Sequence, residues 1–324
     1  MSAPKLGSCL APQIENLIKL RRLSGTDYHS QAQLLGYFDR FLVEHGIAQP
    51  RLSREICEQY LQSLSALAPR SRANRFGVVR QLSQQLARTD PSSYVPEPLR
   101  SPTSRQTHRP YVFTAKEVQA LLAAAAQLPP RGSLRPHTYH TLFGLLYSTG
   151  LRIGEAGALN LEDFLPAEQR LFIAEGKFHK ARWIALSAST TAALQQYVQR
   201  RRKAPPHSPD TPLLLNECGR RLCHPTVWHA FMQVLEQGGI AYHPRTGPRI
   251  HDLRHTFAVL RLLAWYRDGE DVNARLPFLA TYLGHVNIDS TRVYLQPTAE
   301  LLGEVDRRFH GHYLRHLAGK GAAA

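Results

Sequence analysis

Residues 89–112, TDPSSYVPEPLRSPTSRQTHRPYV, are rich in Pro, Ser and Thr and have no apolar period. Such a stretch has no face to bury and reads as a connector. It splits the 324-residue chain into two parts with different patterning. The length is long for one compact domain and comfortable for two. The expected organisation is a helical N-terminal domain over 1–100, a linker over 101–112, and a second domain over 113–324.

In the first part, Leu34, Leu35, Phe38, Phe41 and Leu42 recur at helical spacing between Ser30 and His45, and Gly46 is placed as the stop. A second helix is expected from Ser53 to Leu64, and a third from Ser71 to Ala87 with Val78, Val79, Leu82 and Leu86 inward. Arg70, Arg72, Arg75 and Arg80 crowd the start of that third helix with no acid between them. A solvated face commonly mixes both signs, so contact with a polyanion backbone is the expected role of these four arginines.

The second part opens on a capping box, Thr114 with Glu117, which predicts a helix through Ala126. A helix from His137 to Ser148 is closed by Gly150, and a short one starts at Ile153. Over 170–187 the pattern changes: RLFIAEG and ARWIALS are β-prone runs around a polar turn, a hairpin. Helices are expected over 188–203, 225–237, 252–267, 272–283 and 288–295. A last amphipathic stretch, 297–314, carries Leu301, Leu302, Val305 and Phe309 at roughly helical spacing. The fold class is therefore mainly α with a small β hairpin or sheet.

The formal net charge is +15, and both parts share it. Residues 1–110 hold 15 Lys/Arg against 8 Asp/Glu, and the remainder 25 against 17. A basic tail would concentrate charge at one end; two basic domains suit a polyanion gripped from two sides. Arginine far outnumbers lysine, and its fork matches phosphate oxygens, so double-stranded DNA is the leading partner. No apolar run approaches the roughly 18–20 residues that span a bilayer, and the N-terminus lacks a signal-peptide pattern. The reading is a cytoplasmic, nucleoid-associated protein. The four cysteines are too sparse for a disulfide framework. Cys218, Cys223 and His224 have no second pair at zinc-finger spacing, so no metal or other cofactor is expected.

Six residues carry candidate chemistry: Arg152 in TGLRIGE, Lys177 in EGKFHK, His251 and Arg254 in HDLRH, His285 in LGH, and Tyr294 in RVYL. A phosphodiester gains charge on its non-bridging oxygens in the transition state, and a guanidinium that cannot lose its proton stabilises that charge. Arg152 and Arg254 are of the right type; each could instead be a structural ion pair, with Glu155 as the partner of Arg152. His251 is a candidate proton acceptor. His255, one turn on, raises a metal reading, but Asp252 stands where a zinc protease needs Glu and no third ligand follows. His255 reads as a packed, hydrogen-bonded histidine and Asp252 as a structural acceptor. Tyr294 is the candidate nucleophile, nine residues after His285; its phenol, with a pKa near 10, needs a base or a cationic field. Lys177 in the hairpin turn could protonate a leaving oxygen, with Lys180 as its rival and a solvated turn lysine as the plainer alternative.

Over roughly the whole chain, this order and wording resemble the tyrosine recombinase (phage integrase) family. The resemblance implies a small helical core-binding domain, a mixed α/β catalytic domain with a tail helix, and the six residues above as its site. It implies a 3′-phosphotyrosine intermediate, a Holliday junction, and neither ATP nor metal. It also implies a homo-tetramer on paired recombination sites, or assembly with related recombinases. Gly154 departs from the family's usual Ser, and Phe178 stands where small residues are common. The wording LLAWYRDGEDVNARLPFLATYLGH looks like recombinases encoded in tandem by transposon-like elements. Two other readings stay open: a type IB-like topoisomerase, and a non-catalytic accessory DNA-binding protein. The tail helix could pack on its own domain or on a neighbour.

Overall fold

A computed structural model of the chain describes residues 5–99, 110–174, 181–201, 210–244, 246–285 and 291. The chain divides into two compact units, Met1–Thr107 and His108–Ala324.

Among its described residues, the first unit holds four helices: α1 (Ala11–Leu23), α2 (His29–Glu44), α3 (Arg54–Ser63) and α4 (Pro69–Thr89). The last three are those the periodicity predicts. Ser53 caps α3 by accepting from the Ile56 N–H, and Gly46 follows α2 with φ +63°. The helix α1 was not anticipated, although Ile14, Leu17 and Ile18 lie at one-turn spacing, Pro12 sits in its first turn, and Arg21 and Arg22 complement its last. These apolar faces meet in one core around Leu10, Ile14, Leu35, Phe38, Tyr60 and Leu82. Each such fully buried apolar side chain stabilises the unit by roughly 1.5–3 kcal/mol.

The arginines of α4 lie beside that core. Arg70 is exposed, and Arg72, Arg75 and Arg80 are half-buried. The Arg75 guanidinium sits 4.5 Å over the exposed Tyr37 ring, which Arg40 also approaches at 5.1 Å. Arg80 donates from Nε to the Pro96 carbonyl at 2.9 Å, so it also ties its own unit together.

The second unit starts with α5 (Ala115–Ala125), whose capping box has both reciprocal bonds in place. Then come α6 (Arg135–Thr149), α7 (Ile153–Ala158), β1 (Phe164–Leu165), β2 (Arg170–Ile173), β3 (Arg182–Ala185), α8 (Ala188–Arg201), α9 (His224–Gln237), α10 (Asp252–Arg267) and α11 (Val272–Leu283). The expected hairpin is β2 with β3, antiparallel, with Leu171 opposite Ile184 and Ile173 opposite Arg182. The two-residue β1 adds a third strand on the β2 edge. Helix α6 packs between α5, α8 and α10, and α10 in turn packs on α11. Leu121, Leu142, Phe143, Leu146, Phe231, Val234 and Leu253 fill the core between them. The expected linker largely falls outside the described residues. So do Lys177 and Lys180, the tail over 297–314, and the 288–295 helix with Tyr294, apart from Thr291. Among the described residues, no helix is long and apolar enough to cross a membrane.

Candidate active site

The position of Arg152 is set by the way α6 ends. Gly150 turns the chain with φ +65°, and a Cβ there would stand 2.5 Å from Phe257 Cδ1. Only glycine combines that dihedral with so close a neighbour. Arg152 then becomes the N-cap of α7. Its N–H donates to Glu155 Oε2 at 2.9 Å, its Nη1 to Glu155 Oε1 at 2.8 Å, and its Nη2 to the Gly284 carbonyl at 3.0 Å. Glu155, 6% exposed, takes two more bonds from Arg182, at 3.1 and 2.8 Å. Burial pushes its carboxyl pKa up, but the bonds from Arg182 and Arg152 and their charges prevail and hold it below the usual range.

Arg254 lies in the first turn of α10 and is 1% exposed. Nη1 donates to the Gly150 carbonyl at 2.7 Å, and Nη2 to the Leu283 carbonyl at 2.6 Å. The same Nη2 lies 2.8 Å from His285 Nε2. His285 follows Gly284, whose φ of +67° ends α11 and turns the imidazole back. His285 Nδ1 lies 2.7 Å from the hydroxyl of buried Thr291. Burial first, then Arg254 and Arg152, push the His285 pKa down to about 4.

His251 is the N-cap of α10, exposed as a residue, with its ring set edge-on to His255 at 5.1 Å between centroids. The protein crowded around it, then the Arg254 and Arg152 guanidiniums, push its pKa down to about 4, with Glu155 opposing. Asp252 is buried and accepts the Arg249 N–H at 2.8 Å.

Arg152, Arg254 and His285 are thus gathered around the last turn of α11, and His251 shares their field. Lys177 and Tyr294 lie outside the described residues. The sequence reading missed Arg182. Its position in a short strand gives no signal, and its partners Glu155 and Tyr282 are 27 and 100 residues away. Among the described residues, no three His, Cys, Asp or Glu side chains form a metal-holding group.

Residues 111–301 match the phage integrase family. A Sinorhizobium fredii protein named as an integrase/recombinase, y4rB, is 35% identical over 303 residues, covering 91% of this chain and 95% of its own. The tyrosine recombinase XerD of Bifidobacterium longum is 28% identical over 292 residues, covering 85% and 87%. In fold, the chain is similar to the Tn1549 transposon integrase in complex with transposon right end DNA, with a TM-score of 0.62 at 15% identity, covering 91% and 98%. The chain belongs to the phage integrase family: it is a tyrosine-type site-specific DNA recombinase, an enzyme that breaks and rejoins double-stranded DNA.

Proposed function

We propose that Arg152, Lys177, His251, Arg254, His285 and Tyr294 are the catalytic set of this recombinase. The observation that carries the reading is the convergence of two guanidiniums and an imidazole on the last turn of α11. Arg152 and Arg254 bind the non-bridging oxygens of the scissile phosphate. The Tyr294 phenol attacks phosphorus and gives its proton to His251. Before DNA binds, the protein packed around His251 and then the arginines keep it neutral and able to accept. A phosphate seated between them offsets their charge and restores the ring's basicity. His285 holds Arg254 in place. Lys177 protonates the departing 5′-oxygen. The products are a 3′-phosphotyrosine and a free 5′-hydroxyl. A 5′-hydroxyl from a partner strand reverses the steps, and exchange proceeds through a Holliday junction. The ester conserves the bond energy, so no ATP is consumed.

Arg70, Arg72, Arg75 and Arg80 contact the DNA backbone from the first unit, with Tyr37 and Arg40 extending the patch. The working assembly is a homo-tetramer on paired sites, or a mixed one with related recombinases of a transposon-like element, acting in the nucleoid. The test is a nicked suicide substrate that traps the covalent intermediate. Wild-type protein should form an adduct, and Tyr294→Phe should bind the same DNA without forming one. An adduct that survives Tyr294→Phe overturns the assignment of the nucleophile. Efficient relaxation of a supercoiled plasmid without a recombination site would point to a topoisomerase instead.

A further inference from the structure

We propose that Arg182 is a positioning residue for Arg152: it shares the Glu155 carboxylate so that Arg152 stays both fixed and net cationic toward the scissile phosphate. This rests on the catalytic reading of Arg152 and adds a residue to it. Arg182 opens β3, and its side chain is about one-tenth exposed. Nη1 and Nη2 reach both oxygens of Glu155, at 3.1 and 2.8 Å, while Nε donates to the Tyr282 carbonyl at 2.8 Å. Arg152 is tied to the same two bodies: the Glu155 carboxylate and the end of α11, there through the Gly284 carbonyl. The close fit is visible at Gly284, where a Cβ would stand 2.8 Å from Arg182 Nη1.

The charge balance gives this arrangement its function. Glu155 alone would neutralise Arg152 and draw its guanidinium into a closed pair. With Arg182 on both carboxylate oxygens, two guanidiniums share one carboxylate and positive charge is left over. A buried carboxylate holding a cation in place is useful at a phosphate site only if it does not cancel that cation. Arg182 also spans from the start of β3, five residues after Lys177 in the sequence, to the turn that presents His285.

The test is single-turnover cleavage of the suicide substrate by Arg182→Gln, Arg152→Lys and the double variant, with DNA affinity measured separately. Arg182→Gln should slow cleavage on the order of 10-fold or more at unchanged affinity, the scale of loss when a reacting group is misplaced. The double variant should be little slower than Arg152→Lys alone, since both changes disable one unit. A second arm uses a substrate whose bridging 5′-oxygen is sulfur, a leaving group that needs no proton. The Arg182→Gln defect should persist there, while a Lys177→Ala defect should vanish. Arg182→Lys, which keeps the charge against Glu155 but loses the fork, should be intermediate, and it provides the same cycle if the glutamine variant fails to fold.

Rates that multiply in the double variant would overturn the proposal, as would rescue by sulfur, which would route Arg182 through the leaving-group acid. Wild-type rates in the Arg182 variants beside a crippled Arg152→Lys would sink this inference alone. A wild-type rate in Arg152→Lys would sink the catalytic reading beneath it.

Discussion

Arg254 Nη2 and His285 Nε2 stand 2.8 Å apart. A guanidinium only donates, so Nε2 must accept, and the ring proton sits on Nδ1, from which it reaches the Thr291 hydroxyl at 2.7 Å. His285 is therefore the neutral Nδ1–H tautomer in the free protein. Nitrogen-15 NMR of histidine-labelled protein at pH 7 should show that tautomer for His285. An imidazolium, or an Nε2–H tautomer, would contradict the pairing.

The same burial and charge make folding sensitive to acid. His251 and His285 each have a pKa near 4 in the folded state against an ordinary value of 6.5. Below 6.5 the unfolded chain binds protons that the folded one does not. The histidine contribution should therefore be full above about pH 6.5, fall as pH drops toward 4, and level off below that as the folded state protonates too, while the lowered Glu155 carboxyl carries the loss of stability further into acid. Urea unfolding at stepped pH would show the fall. In a His285→Gln variant the drop between pH 6.5 and 4 should be shallower; an identical drop would remove His285 from the account.

Arg152 makes separate bonds from Nη1 and Nη2 as well as from its N–H, which a lysine ammonium cannot reproduce. Arg152→Lys should cost on the order of 3 kcal/mol in the transition state, about 10²-fold in cleavage rate, with DNA binding retained. Near wild-type cleavage would reduce Arg152 to a structural residue.

Gly150→Ala places a methyl group 2.5 Å from Phe257 Cδ1 at a φ of +65°. Strain and overpacking together should destabilise the second unit by roughly 1–3 kcal/mol, and cleavage should fall further because the Gly150 carbonyl anchors Arg254. Thermal unfolding and adduct formation measure the two effects. An unchanged melting temperature would show that the turn relaxes freely.

The proposed steps use protein groups alone, guanidiniums for charge and imidazole and ammonium for protons. Cleavage should proceed at full rate in excess EDTA. Loss of activity restored only by Mg²⁺ or Zn²⁺ would require a different mechanism.

Helices with a broad apolar stripe, such as α2, α4 and α10, were legible in the sequence because burial imposes a 3.6-residue period. The glycine stops at Gly46 and Gly150 were legible for steric reasons, whereas the turn at Gly284 appears only in the structure. α1 escaped notice because its stripe is narrow and Leu20 and Leu23 point to solvent. β1 is too short to show a period. At the site, residue types and spacing singled out Arg152, Arg254 and His285. Their anchors could not be read: Arg254 bonds to carbonyls 104 and 29 residues away, and every residue has a carbonyl. Such partners have no letter of their own in a sequence.

That last feature bears on how the protein can diverge. Gly150, Leu283 and Gly284 hold the two guanidiniums by main-chain oxygen, at the C-terminal ends of α6 and α11 where the helix dipoles are negative. Replacing a side chain does not delete a carbonyl. The surfaces that select a target sequence are thereby free to drift while the anion clamp persists, with the two turn glycines and Glu155 as its narrow points of genetic vulnerability.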